Sequence, residues 1–143
     1  TPVVIVLALA FAISGTQQAL GTGVWLAQVA QATVNPGFLP AIIFILACIM
    51  AFSTGTSWGT FAIMIPIVVP MAELLGLNLG LTLAAALGGG IFGDHCSPIS
   101  DSTIVSSMAS AADHIDHVRS QLPYAMMAAC GALLLFLVTG FIL

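Results

Sequence analysis

The stretch GDHCSPISDST, Gly93 to Thr103, gathers two of the chain's five carboxylates, a His and a Cys around one proline. Carboxylates and hydroxyls are hard oxygen donors, and they suit a small cation such as Na⁺ or a proton. Pro98 lacks a backbone donor and would clash with the carbonyl of Asp94 in a continuous helix. Gly88, Gly89, Gly90 and Gly93 weaken a helix just before it. A helix is therefore expected to stop near Gly93 and to restart near Asp101. At the first of those ends the dipole is negative and carbonyls lack partners. Asp94 is unfavourable there unless a cation joins it. Free carbonyls with Asp94, Ser97 and Ser100 make the oxygen set for Na⁺ or H⁺, with Na⁺ expected at Asp94 and Asp101. Asp101 opens the second helix, where it serves as a ligand, as an N-cap, or as both.

Other residues carry weaker chemical signals. The polar run STGTSWGT, Ser53 to Thr60, offers Ser53, Thr54, Thr56 and Ser57, whose hydroxyls and backbone are expected to face the break from the other side. Trp58 in that run is read as a packing or gating side chain. Ser100, Thr103, Ser107 and Ser110 recur on one helical face, a pattern that also serves plain helix–helix contact. The run DHIDH pairs Asp113 with His114 and Asp116 with His117, and with His95 these are the candidate pH-sensing groups, because histidine changes charge near neutrality. His95, Cys96, His114 and His117 would make a metal site only if the break and this run meet. Cys48 and Cys130 read as small buried apolar residues.

The rest of the chain says where such a site sits. It is 60% hydrophobic and 4% charged, against about 25% charged in soluble domains. That composition belongs in a bilayer. One basic residue and a net charge of −4 exclude nucleic-acid binding. The chain is read as all-α, with a first span over about 3–20 and a short helix over 24–34 that ends at Asn35-Pro36-Gly37. Two apolar runs follow, 38–52 and 61–74, each near 15 residues and joined by the polar tip. Runs too short to cross suggest a re-entrant hairpin over about 38–74; two tilted spans are the alternative. A broken helix over about 79–112, a polar loop at 113–121 and a final span over about 122–143 complete the order. Glu73 is expected to face the outer water. Arg119 places the 113–121 loop in the cytoplasm by the positive-inside rule. The absent Met and the apolar ends read as a piece of a longer protein, its C-terminal part.

Residues 88–125, GGGIFGDHCSPISDSTIVSSMASAADHIDHVRSQLPYA, closely resemble the C-terminal signature of the NhaC-type sodium/proton antiporter family. Residues 51–67, AFSTGTSWGTFAIMIPI, resemble a second signature of that family, and together the two cover about 55 of 143 residues. The resemblance implies a multi-pass secondary transporter of the inner (cytoplasmic) membrane that exchanges Na⁺ for H⁺. It implies an ion-transporter fold of two inverted repeats, each a re-entrant hairpin followed by a discontinuous helix, of which this chain is the second. It also implies that Asp94, Ser97, Pro98 and Asp101 belong to the broken-helix motif, and Ser53, Thr54, Thr56 and Ser57 to the hairpin tip. Relatives in that family also move malate, lactate or amino acids, so a Na⁺- or H⁺-coupled organic-anion or amino-acid exchanger is the second expectation. A membrane metalloenzyme is the third. The expected partners are Na⁺, H⁺, the bilayer, the N-terminal half of the same transporter and a second copy in a homodimer. No cofactor is expected, and no enzymatic activity.

Overall fold

The computed structural model describes residues 2–143, with side chains for residues 8, 9 and 12–143. Among these the regular structure is helical throughout. α1 (Pro2–Ala19) and α2 (Thr22–Thr33) are separated by Leu20 and a left-handed Gly21. The side chains of residues 3–7, 10 and 11 in the first expected span lie outside the described residues. At Asn35-Pro36-Gly37 the Asn35 side chain accepts from the Gly37 N–H and starts a single 3₁₀ turn, Pro36–Phe38. That turn runs directly into α3 (Leu39–Thr54). α4 (Ser57–Leu75) follows, then α5 (Leu79–Cys96), α6 (Asp101–Ala109) and α7 (His114–Ile142).

Four boundaries differ from the sequence expectation. The polar run 53–60 is not a loop. α3 continues through Ser53 and Thr54, whose hydroxyls donate back to the Ile49 and Met50 carbonyls, and α4 starts at Ser57 behind a Thr56 cap. Only Gly55 and Thr56 turn the chain. With the 3₁₀ turn included, both arms reach 19 residues, so neither is too short to cross a bilayer. The first half of the broken helix persists to Cys96, three residues beyond the expected stop at Gly93. The residue before a proline is pushed out of the α region, and Ser97 is extended with φ −78° and ψ 127°, so the helix runs as far as Cys96. The second half ends at Ala109 rather than 112. The polar run 113–121 is helical from His114, because Asp113 caps α7 by accepting from the Ile115 and Asp116 N–H groups.

Small residues decide the packing. α5 lies along α3 with Gly89 against Ala47 and Gly93 against Ala51, all buried. A Cβ at Gly89 would collide with the Phe44 carbonyl, and one at Gly93 with the Cys48 carbonyl. This is the small-xxx-small device that lets membrane helices approach backbone to backbone. Around that seam Ile43, Phe44, Met64, Val68 and Met71 form the apolar core. Phe44 of α3 packs on Phe136 of α7 at 5.2 Å between ring centroids. α4 carries Pro66 and Pro70 within its length, and Gly23 of α2 fits against Pro70.

Among the described residues three stretches are long and apolar enough to cross a membrane: Pro36–Thr54, Ser57–Leu75 and His114–Ile142. No residue of α7 is fully buried against the rest of the chain. Its exposed Leu134, Leu135, Val138 and Phe141 are at home in lipid or against further protein. The chain is a membrane protein.

Candidate functional site

The site is the non-helical segment Ser97–Ser100 and the two helix ends it joins. Asp94 lies in the last turn of α5 and is 4% exposed. Ser100, fully buried, caps α6: its Oγ accepts from the Thr103 N–H and donates to Asp94 Oδ1 at 2.6 Å. Ser102, in the first turn of α6, donates to Asp94 Oδ2 at 3.0 Å. The two serine oxygens are 2.8 Å apart. Asp94, Ser100 and Ser102 therefore close a ring of three oxygen–oxygen contacts.

Counting hydrogens in the ring shows what it can do. Each serine supplies one. With Asp94 ionised, two hydrogens serve three contacts, and one pair of oxygens faces without a proton between them. A proton on Asp94 completes the cycle, Asp94 to Ser102 to Ser100 and back. A cation among the same oxygens also removes the mismatch. Small hard cations take carboxylate, hydroxyl and carbonyl oxygens.

The surrounding field holds the carboxylate in place. The end of α5 is the negative end of its dipole, as expected. The start of α6, which holds both serines, is the positive end of another and offsets it. The only basic side chain of the chain, Arg119, is exposed on α7. A buried carboxylate without a basic partner is costly in a bilayer, and such groups mark ion pathways.

The carbonyls expected to be free at the break are largely engaged. Asp94 O accepts from Ser97 N, Ser97 O from Ser100 N, and Ser100 O from Ile104 N. His95 O faces the Thr103 hydroxyl at 3.5 Å, and Pro98 O lies 2.7 Å from His114 Nε2. Each carbonyl keeps one lone pair for another partner.

The turn between α3 and α4 meets the break. Ser97 Oγ donates to the Phe52 carbonyl at 2.8 Å, so its hydrogen is used to dock the break on α3. Gly55 sits against the Ile99 carbonyl, where a Cβ would fall 2.7 Å from the oxygen, and its φ of 67° is one that only glycine adopts freely. Ser53, Thr54 and the Thr56 cap spend their hydroxyls on their own helices, and Ser57 is half-buried at the start of α4. Trp58 is exposed and packs edge-on against Phe61 at 6.1 Å.

Asp101 is not the cap; Ser100 is. The Asp101 carboxylate is exposed and accepts from the Ser102 N–H at 2.7 Å. Ser102 thus touches both carboxylates, one through its backbone and one through its hydroxyl. The sequence reading missed it. The available signal was its place two residues after a capping serine, in the turn whose groups face the preceding helix end. Thr103 and Ser107 are buried on the same face of α6, whereas Ser110 is exposed.

The histidines separate. His95 turns away, its Nδ1 beside the Ile91 carbonyl. His114 reaches back to the break and to Ser107 Oγ at 3.1 Å. His117 and Asp116 lie on the first turns of α7, half-buried and exposed respectively. No group of three or more His, Cys, Asp or Glu among the described residues is placed to hold a metal ion. Glu73 is exposed near the end of α4.

Comparison with known proteins bears on this geometry. The chain is 44% identical over 121 residues to an uncharacterized protein of Haemophilus influenzae, which covers 84% of the chain and 23% of that protein. It is 35% identical over 108 residues to the malate-2H⁺/Na⁺-lactate antiporter of Bacillus subtilis, 76% of the chain and 23% of the relative. It is 27% identical over 107 residues to the arginine/ornithine antiporter ArcD of Halobacterium salinarum, 75% of the chain and 22% of the relative. The chain thus spans under a quarter of the length of these relatives. No solved structure matches. The profile of the Na⁺/H⁺ antiporter family matches residues 1–141, nearly the whole chain. The chain belongs to the Na⁺/H⁺ antiporter family, a family of transporters rather than enzymes.

Proposed function

We propose that this chain carries one half of the ion site of an NhaC-type Na⁺/H⁺ antiporter, in which Na⁺ and H⁺ compete for Asp94. The observation that carries this reading is the ring of Asp94, Ser100 and Ser102, which is one hydrogen short when the carboxylate is ionised. A proton or a cation makes good that shortfall, and the two exclude each other. One carboxylate then couples two fluxes, since protonation removes the charge that holds the metal ion. Asp101, exposed one residue beyond Ser100, is the second carboxylate on the path.

In this reading α3 and α4 form the hairpin, α5 and α6 form the discontinuous helix, and the whole is the second of two inverted repeats in a protein of the cytoplasmic membrane. The Ser97–Phe52 bond and the fit of Gly55 under Ile99 support treating hairpin and break as one body. That body moves against the rest of the transporter during alternating access. The tip residues Ser53, Thr54, Thr56 and Ser57 shape the wall of the site. Asp113, Asp116, His95 and His117 supply proton-responsive groups around it.

The test is Asp94→Asn in the full-length protein, assayed in proteoliposomes. Exchange of Na⁺ driven by a pH gradient is expected to vanish, and intact exchange would sink the assignment. A second reading, exchange of organic anions or amino acids coupled to Na⁺ or H⁺, draws on the malate/lactate and arginine/ornithine relatives. Counterflow of labelled malate, lactate or arginine in the same vesicles separates the two. The scarcity of basic residues favours the cation.

A further inference from the structure

We infer that His114 is a positioning residue that ties α7 to the ion site by holding the carbonyl of Pro98. His114 is the first residue of α7, and its ring reaches back over the break. Nε2 lies 2.7 Å from Pro98 O, and Nδ1 lies 3.1 Å from Ser107 Oγ. A carbonyl only accepts, so Nε2 carries the hydrogen. Ser107 Oγ is also 2.9 Å from the Ile104 carbonyl. A neutral ring takes the Ser107 hydrogen on Nδ1. A doubly protonated ring donates from Nδ1 and leaves that hydrogen for Ile104. The bond to Pro98 stands in both forms.

Pro98 is a place where a donor matters. In a helix its carbonyl would take the N–H of Ser102, but that N–H is bound to the Asp101 carboxylate. The segment Ser97–Ser100 is then pinned at three points: Ser97 to Phe52 of α3, Pro98 to His114 of α7, and Ser100 to Asp94 of α5. Without the middle pin the Pro98 carbonyl loses its partner. Ser100 is then free to drift from the 2.6 Å contact that closes the ring. Asp113 fixes the pin, because its cap of Ile115 and Asp116 sets where α7 begins. A shift of α7 is in this way passed to Asp94 without touching the ion.

This rests on the Asp94 ring being the ion site, and two measurements on the full-length protein keep the two claims apart. Hydrogen–deuterium exchange of the amides in 97–102 reads the pin alone. The Na⁺ concentration for half-maximal exchange, set beside the maximal rate, reads its effect on the site. His114→Ala is expected to speed amide exchange in the break by roughly five- to tenfold, the worth of one lost hydrogen bond. It is expected to raise the half-saturating Na⁺ concentration by a similar factor, with the maximal rate within about twofold. His114→Gln, whose amide nitrogen reaches the place of Nε2, restores both. Unchanged break exchange in the Ala variant overturns the inference. So does a changed break with unchanged Na⁺ saturation, or a Gln variant no better than Ala. Failure of the ion site itself shows instead as exchange that survives Asp94→Asn.

Discussion

At the scale of single residues the site depends on who donates to whom. Asp94 stood out in the sequence because a carboxylate in an apolar chain must have a reason, and it proves to be the centre of the ring. Ser100 was visible as an oxygen donor, but its second duty as the cap of α6 was assigned to Asp101. The two residues are neighbours at a helix start, and only the backbone angles decide which of them is the last non-helical one. Ser102 was invisible because its role comes from the angle between α5 and α6, which no spacing rule fixes. Ser102→Ala should raise the half-saturating Na⁺ concentration of the full-length transporter by roughly ten- to a hundredfold, the worth of a hydrogen bond to a charged group. Thr139→Ala, which removes only a bond back to Leu135 on α7, should leave it within about twofold. The comparison is made by Na⁺ titration of exchange in proteoliposomes.

At the scale of elements the break was legible and its edges were not. Pro98 and the glycines announced it. The glycines, however, do not weaken α5 so much as allow it to press against α3, which is why the helix survives past Gly93 to Cys96. The polar run 53–60 looked like a loop because hydroxyls are common in loops. Here Ser53 and Thr54 bond their own helix, a habit that serine and threonine also have in apolar surroundings. Gly93→Ala should push α3 and α5 apart, since the added Cβ meets a carbonyl rather than a yielding side chain. A loss of about 1–3 kcal/mol is expected, read as an earlier thermal unfolding of the detergent-solubilised protein. Ala111, between α6 and α7, holds a φ of 51° where glycine is favoured. Its neighbour Ala112 bonds back to Ser107 O in the pattern of a helix end that normally carries glycine. Ala111→Gly should raise stability in the same assay by up to about 1 kcal/mol.

At the scale of the molecule the site sits where polar and apolar surroundings meet. Cys96 lines a groove with Leu122 and Met126, at the point where α7 becomes apolar, and Pro98 touches His114 in its polar first turn. α7, with 29 residues, is about 43 Å long at 1.5 Å per residue, longer than a hydrocarbon core of about 30 Å. Its length exceeds the core, and its charged residues, Arg119 among them, lie in the first turns, at the end that touches the break. The central claim, that one carboxylate holds either Na⁺ or a proton, is tested most directly by the proton itself. Na⁺ added to the purified full-length protein in weak buffer, at a pH low enough to load the site, should release protons in proportion to the Na⁺ bound. Asp94→Asn should abolish that release. Na⁺ binding without proton release, or equal release from the Asn variant, would contradict it.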